Sequence, residues 1–151
     1  MSDRLRKQIE VERAELSALI ETHRDLIDKC RVEDPTPVEL SALAAILHSF
    51  YGGIENVLKR IALEADGSMP TGESWHRRLL EQMARSEGER VPVISVALQE
   101  DLEAFLRFRH FFRHGYVLRL KWSPMKDLVL ACETMLHRFF DEIDRFMEQR
   151  A

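Results

Sequence analysis

The feature that most constrains this chain is a stripe of apolar residues returning every three or four positions, from Leu43 through Leu47, Phe50, Ile54 and Val57 to Ile61. That spacing keeps one face of an α-helix apolar for about five turns, and a strand, whose side chains alternate with period two, cannot use it. The start of the helix is written just upstream, where Thr36, Pro37, Val38 and Glu39 place a capping box around a proline at the first helical position. Its end is expected at Asp66 and Gly67. Gly52 and Gly53 lie inside it, where each costs about 1 kcal/mol relative to alanine. Such a pair points to close approach by another backbone or by a ligand.

The other segments obey the same period. Leu5, Ile9, Glu12, Leu16, Leu19, Ile20, Leu26 and Ile27 predict one amphipathic helix over 3–29, with charges on its far side. After the loop 67–73, Leu79, Leu80 and Met83 mark a short helix over 74–85. A second loop around Gly88 to Ser95 precedes a helix that Ser95 caps and that is expected to reach Leu118. The last helix runs over 123–149, with Leu128, Cys132, Met135, Phe139, Ile143 and Phe146 as its stripe. Only the brief Val91, Pro92, Val93, Ile94 run resembles a strand, and there is no internal repeat. The expected fold is all-α: an up-down bundle of four long helices and one short helix, a single domain over 1–151.

At 151 residues and 45% hydrophobic content the chain can close one core. Mixed charges at 32% argue against disorder, and the net charge of −4 argues against non-specific coating of nucleic acid. Cys30 and Cys132 stand far apart without CxxC spacing, which disfavours a disulfide framework or a zinc site. No pair of Glu-x-x-His motifs falls on facing helices, which disfavours a di-metal centre. The N-terminal residues lack the apolar core of a signal peptide, and no apolar run approaches the ~18 residues of a membrane helix. The expectation is a soluble cytoplasmic protein with no cofactor, no metal and no membrane partner.

Against that acidic background, 26 acids to 22 bases, the stretch from Ala104 to Met125 carries no acid at all. It holds Arg107, Arg109, Arg113, Arg119 and Lys121 together with His110, His114 and Tyr116, the equipment of a phosphate-handling site. Arg109 falls within the apolar sector of its helix, among Leu98, Leu102, Phe105, Phe112, Tyr116 and Leu120. A buried guanidinium costs several kcal/mol unless paired, so it needs a carboxylate, a subunit interface or a phosphate pocket. Glu55 is a plausible carboxylate. His114, five positions on, is rotated by roughly 140° from Arg109 on an ideal helix. Either Gly115 loosens the helix or a two-fold dimer assembles the site from paired copies.

The string Arg109-His110-Phe111-Phe112-Arg113-His114-Gly115-Tyr116 resembles the motif of HEPN-domain ribonucleases, and with Tyr116 it is similar to the Arg-x4-His-x-Tyr variant of HepT-type toxins. The five-helix layout and the Tyr51 to Asn56 segment fit the same family. The resemblance implies a metal-independent endoribonuclease that dimerises through its motif helices and cuts RNA by 2′-hydroxyl attack. Arg109 would then neutralise the phosphate, His114 would act as general acid or base, and His110 would be auxiliary. Arg107 and Arg113 become candidates for RNA binding. It also implies a partner, a small nucleotidyltransferase antitoxin of the MntA type, which would silence the nuclease by adenylylating Tyr116.

Plainer readings exist for each residue. Arg109 could be a structural ion pair, the histidines a polar helix face, Tyr116 a core ring, and the flanking cations solvated charge. Trp75, His76 and His48, outside the motif, are expected to serve packing. The alternative function is a non-catalytic helical interaction module that binds a partner protein or a nucleotide.

Overall fold

The computed structural model describes residues 2–115 and 119–150. Among the described residues six α-helices follow one another: α1 Asp3–Thr22, α2 Arg24–Lys29, α3 Pro37–Ile61, α4 Trp75–Ala84, α5 Val96–His114 and α6 Trp122–Gln149. Among the described residues there is no strand, and the Val91 to Ile94 run is irregular, following an isolated bridge between Glu87 and Arg90. The expected all-α bundle is the observed one.

Helix α3 is its axis, packed on by α1, α4, α5 and α6. Its start is the expected capping box: the Thr36 hydroxyl accepts from the Glu39 N–H, and the Glu39 carboxylate accepts from the Thr36 N–H at 2.9 Å. Every residue of the α3 stripe is buried to 1% exposure or less. The helix ends in a π-helical turn, Ala62–Asp66, and Gly67 at φ 74° supplies the left-handed stop.

Two boundaries differ from the expected ones. The first predicted helix breaks at His23, where Nδ1 contacts the Leu19 carbonyl oxygen at 2.8 Å and the backbone N–H turns to Ile20 instead. The side chain thus competes for the carbonyl that would have continued the helix. Helix α5 ends at His114, with Gly115 already extended at φ −105°, ψ 168°; the expected end at Leu118 lies outside the described residues.

Gly52 and Gly53 have different reasons to be small. A Cβ on Gly53 would stand 2.6 Å from Cδ2 of the buried Leu16, so this glycine lets α1 and α3 close on each other. A Cβ on Gly52 would meet nothing within 4 Å. Denaturant titration should therefore separate neighbours. Gly52→Ala is expected to stabilise the fold by up to about 1 kcal/mol through helix propensity, while Gly53→Ala should destabilise it by about 1 kcal/mol, overpacking outweighing the same gain. Equal shifts for both would contradict this packing.

A buried ion pair pins the loop after α4 to the end of α3. Arg90, 4% exposed, donates from Nε and Nη2 to the Asp66 carboxylate, from Nη1 to the carbonyls of Arg85 and Val91, and from Nη2 to that of Gln82. Gln82 Nε2 also donates to Asp66, at 2.8 Å. Every N–H direction of this guanidinium is occupied, as a buried charge requires.

Candidate active site

Among the described residues Arg109 has no such partners. It is half-buried, its Nε is shut off from solvent without a hydrogen bond, and it forms no ion pair with a described carboxylate. The expected partner, Glu55, is taken by another residue: His76 Nδ1 donates to Glu55 Oε2 at 2.6 Å. Glu55 projects from α3, 3% exposed, and α4 brings His76 over it because the 67–74 loop folds α4 back along α3. The plain reading of Arg109 as one half of a structural ion pair therefore fails among the described residues.

Two cavities meet at Arg109. A groove of about 920 Å³ runs between α1, α3, α4 and α5; Glu12, Ser49, Gly52, Asn56 and Trp75 line it along with Arg109. Gly52 contributes bare backbone to its wall, which explains a glycine with no neighbour in reach of a Cβ. The smaller cavity, about 400 Å³, is lined by Glu73, His76 and Leu106 with Arg109, His110, Arg113 and His114. His76, Arg109 and Arg113 belong to both.

The field here is positive on the α5 side. Burial first, then the charges of Arg109 and Arg113, hold the His48 imidazole below its usual range, so it is neutral near pH 7. Behind the site, burial and then the Glu55 charge push the Tyr51 phenol far up, which keeps it protonated. The His76 ring stacks on Trp75 with centroids 3.7 Å apart, and Lys59 Nζ lies 5.4 Å from the Trp75 ring centroid. Among the described residues no three His, Cys, Asp or Glu side chains converge as a metal site.

Residues 42–150, from α3 to the end of α6, match the model of the family described as HepT-like protein. The chain belongs to the HepT-like protein family. No curated protein and no solved structure matches it. The matched span of this HepT-like chain carries both Arg109 cavities except for the α1 wall of the groove.

Of the residues singled out in the HepT-like motif, the structure brings Arg109, His110, Arg113 and His114 to one cavity within a single chain. The His110 and His114 rings stand 4.5 Å apart, one turn from each other at the exposed end of α5. A straight helix was expected to keep Arg109 and His114 apart unless it loosened at Gly115 or a second copy completed the site; α5 does end there, with Gly115 extended, and both side chains line the one cavity. Arg107 is placed elsewhere, on a different cavity with Phe108, Phe111 and Lys121. Tyr116 lies outside the described residues.

Sequence reasoning missed His76, Glu55 and His48 as site residues. The signal for Glu55 was present, since it is an acid beside Ile54 and Val57 on the apolar face of α3. His76 carried none, because its place depends on how the loop before α4 turns. Cys30 and Cys132 are buried and free, and burial pushes the Cys132 thiol up to about 12, leaving it a packing residue. Among the described residues no helix is long and apolar enough to cross a membrane.

Proposed function

We propose that this HepT-like protein is a metal-independent endoribonuclease of the HEPN type, acting as the toxin of a toxin–antitoxin pair. The observation that carries the reading is the half-buried Arg109 guanidinium, unpaired among the described residues, at the junction of two cavities and adjoined by Arg113, His110 and His114. A guanidinium that lines two cavities and has no carboxylate partner among the described residues is a receptor for an anion, and its planar fork suits phosphate. Family membership makes RNA the expected bearer of that phosphate.

In the proposed reaction the ribose 2′-hydroxyl attacks the adjacent phosphorus. Arg109 neutralises the charge that builds on the phosphoryl oxygens, His114 exchanges a proton with the substrate, and His110 orients or assists. Arg113 contributes to RNA approach from the site itself, and Arg107 from the other face of α5. The active species is a homodimer that joins along α5, where Phe111 is 44% exposed beside Phe108. A cognate nucleotidyltransferase antitoxin adenylylates Tyr116, adding negative charge that competes with RNA for Arg109.

Purified protein, freed of antitoxin, should cleave single-stranded RNA in excess EDTA. His114→Ala, at an exposed helix terminus, should lower the rate by about 10²-fold or more while near-ultraviolet circular dichroism stays unchanged. Intact RNA with the wild-type protein would favour an interaction module instead.

A further inference from the structure

Cleavage by internal attack needs two proton movements on opposite sides of one phosphorus: removal from the 2′-hydroxyl and delivery to the departing 5′-oxygen. The motif supplies His114, with His110 beside it, and a third histidine, from outside the motif, lines the same cavity. His76 is fixed from two directions, by the 2.6 Å hydrogen bond from Nδ1 to Glu55 and by the stack on Trp75. The Glu55 side chain is 4% exposed and that of His76 21%, so the pair runs from the interior out to the cavity. When Nδ1–H is committed to a carboxylate, the neutral ring keeps its free lone pair on Nε2.

Resting on the ribonuclease reading above, we infer that His76 is the general base of this site and Glu55 its positioning residue. Nε2 of His76 takes the proton of the 2′-hydroxyl as O2′ bonds to phosphorus. The P–O5′ bond breaks with its electron pair on O5′, which takes a proton from His114 in its imidazolium form. The products are a 2′,3′-cyclic phosphate and a 5′-hydroxyl, and each histidine resets by exchanging its proton with water. Arg109, shared with His76 by both cavities, holds the phosphoryl oxygens between the two rings.

The test compares two RNA substrates, one ordinary and one with sulfur in place of the bridging 5′-oxygen, whose thiolate leaves without an acid. His76→Ala should lose about 10²- to 10⁴-fold on ordinary RNA, gain nothing from the sulfur substrate, and recover in part with added imidazole. His114→Ala should be restored by the sulfur. Glu55→Gln should lose activity to an intermediate extent, carried by kcat with KM unmoved. Because His76→Ala leaves a buried carboxylate unpaired, the double variant His76→Ala/Glu55→Gln carries the same measurement without that charge and should show the same loss.

A histidine-76 variant as fast as wild type, or one rescued by sulfur as His114→Ala is, would overturn the assignment while leaving the nuclease intact. Wild-type protein that cleaves neither substrate would overturn the ribonuclease reading, and this inference with it.

Discussion

Replacing Arg109 with methionine is expected to move activity and stability in opposite directions. RNA cleavage should fall by about 10³-fold, the scale of losing one positioned cation from a phosphoryl transition state, or about 4 kcal/mol of barrier. Thermal stability should stay level or rise, because methionine fills the same space without a desolvated Nε that no described residue satisfies. Arg109→Lys should lie between the two in activity, keeping charge but losing the fork. Differential scanning calorimetry beside a fluorescent RNA assay reads both. Had Arg109 been a structural ion pair, the same substitution would cost about 3–5 kcal/mol of stability, so a large fall in melting temperature would contradict the structure.

The opposite case is Arg90. Asp66→Ala leaves its guanidinium buried with two donors stranded, and the expected loss is about 3–5 kcal/mol, near 10 °C in melting temperature for a domain of this size. Pairing it with Arg90→Met should recover most of that loss, since no buried charge then remains. The double-mutant cycle, read by urea denaturation, should give a coupling of at least 2 kcal/mol. Two independent, additive losses would show that the pair does not pin the 85–95 loop as described. Activity per folded molecule should be unaffected, because neither residue touches the Arg109 cavities.

The two arginines mark where sequence reasoning reached and where it stopped. Helix α3 could be read almost to the residue because its determinants are local: a capping box, a proline at the first position, a stripe, and a terminal glycine. The conflict at Arg109, a cation in an apolar sector, was legible for the same reason. Its resolution was not, since the choice between carboxylate and open cavity depends on which residue reaches Glu55 first. His76 lies 21 positions from Glu55 and meets it only after the loop has folded α4 back. The Arg90 pair spans 24 positions and depends on the same kind of closure. The break at His23 was missed because a histidine in a helical pattern gives no warning that its ring will take the carbonyl of Leu19.

Gly53 and Gly52 repeat the lesson on one turn of helix. Both cost helix propensity, and sequence alone assigned both to close approach. Only the position of Leu16 shows that one glycine serves packing and the other lines the groove.

The most direct test of the central claim, that Arg109 and its histidines cut RNA unaided by metal, is the chemistry of the new ends. A defined oligoribonucleotide is incubated in EDTA with wild-type protein and with Arg109→Met, and the fragments are weighed by mass spectrometry. The account predicts 2′,3′-cyclic phosphate and 5′-hydroxyl ends from the wild type alone. Fragments bearing 3′-hydroxyl and 5′-phosphate ends, or intact RNA from both, would contradict it.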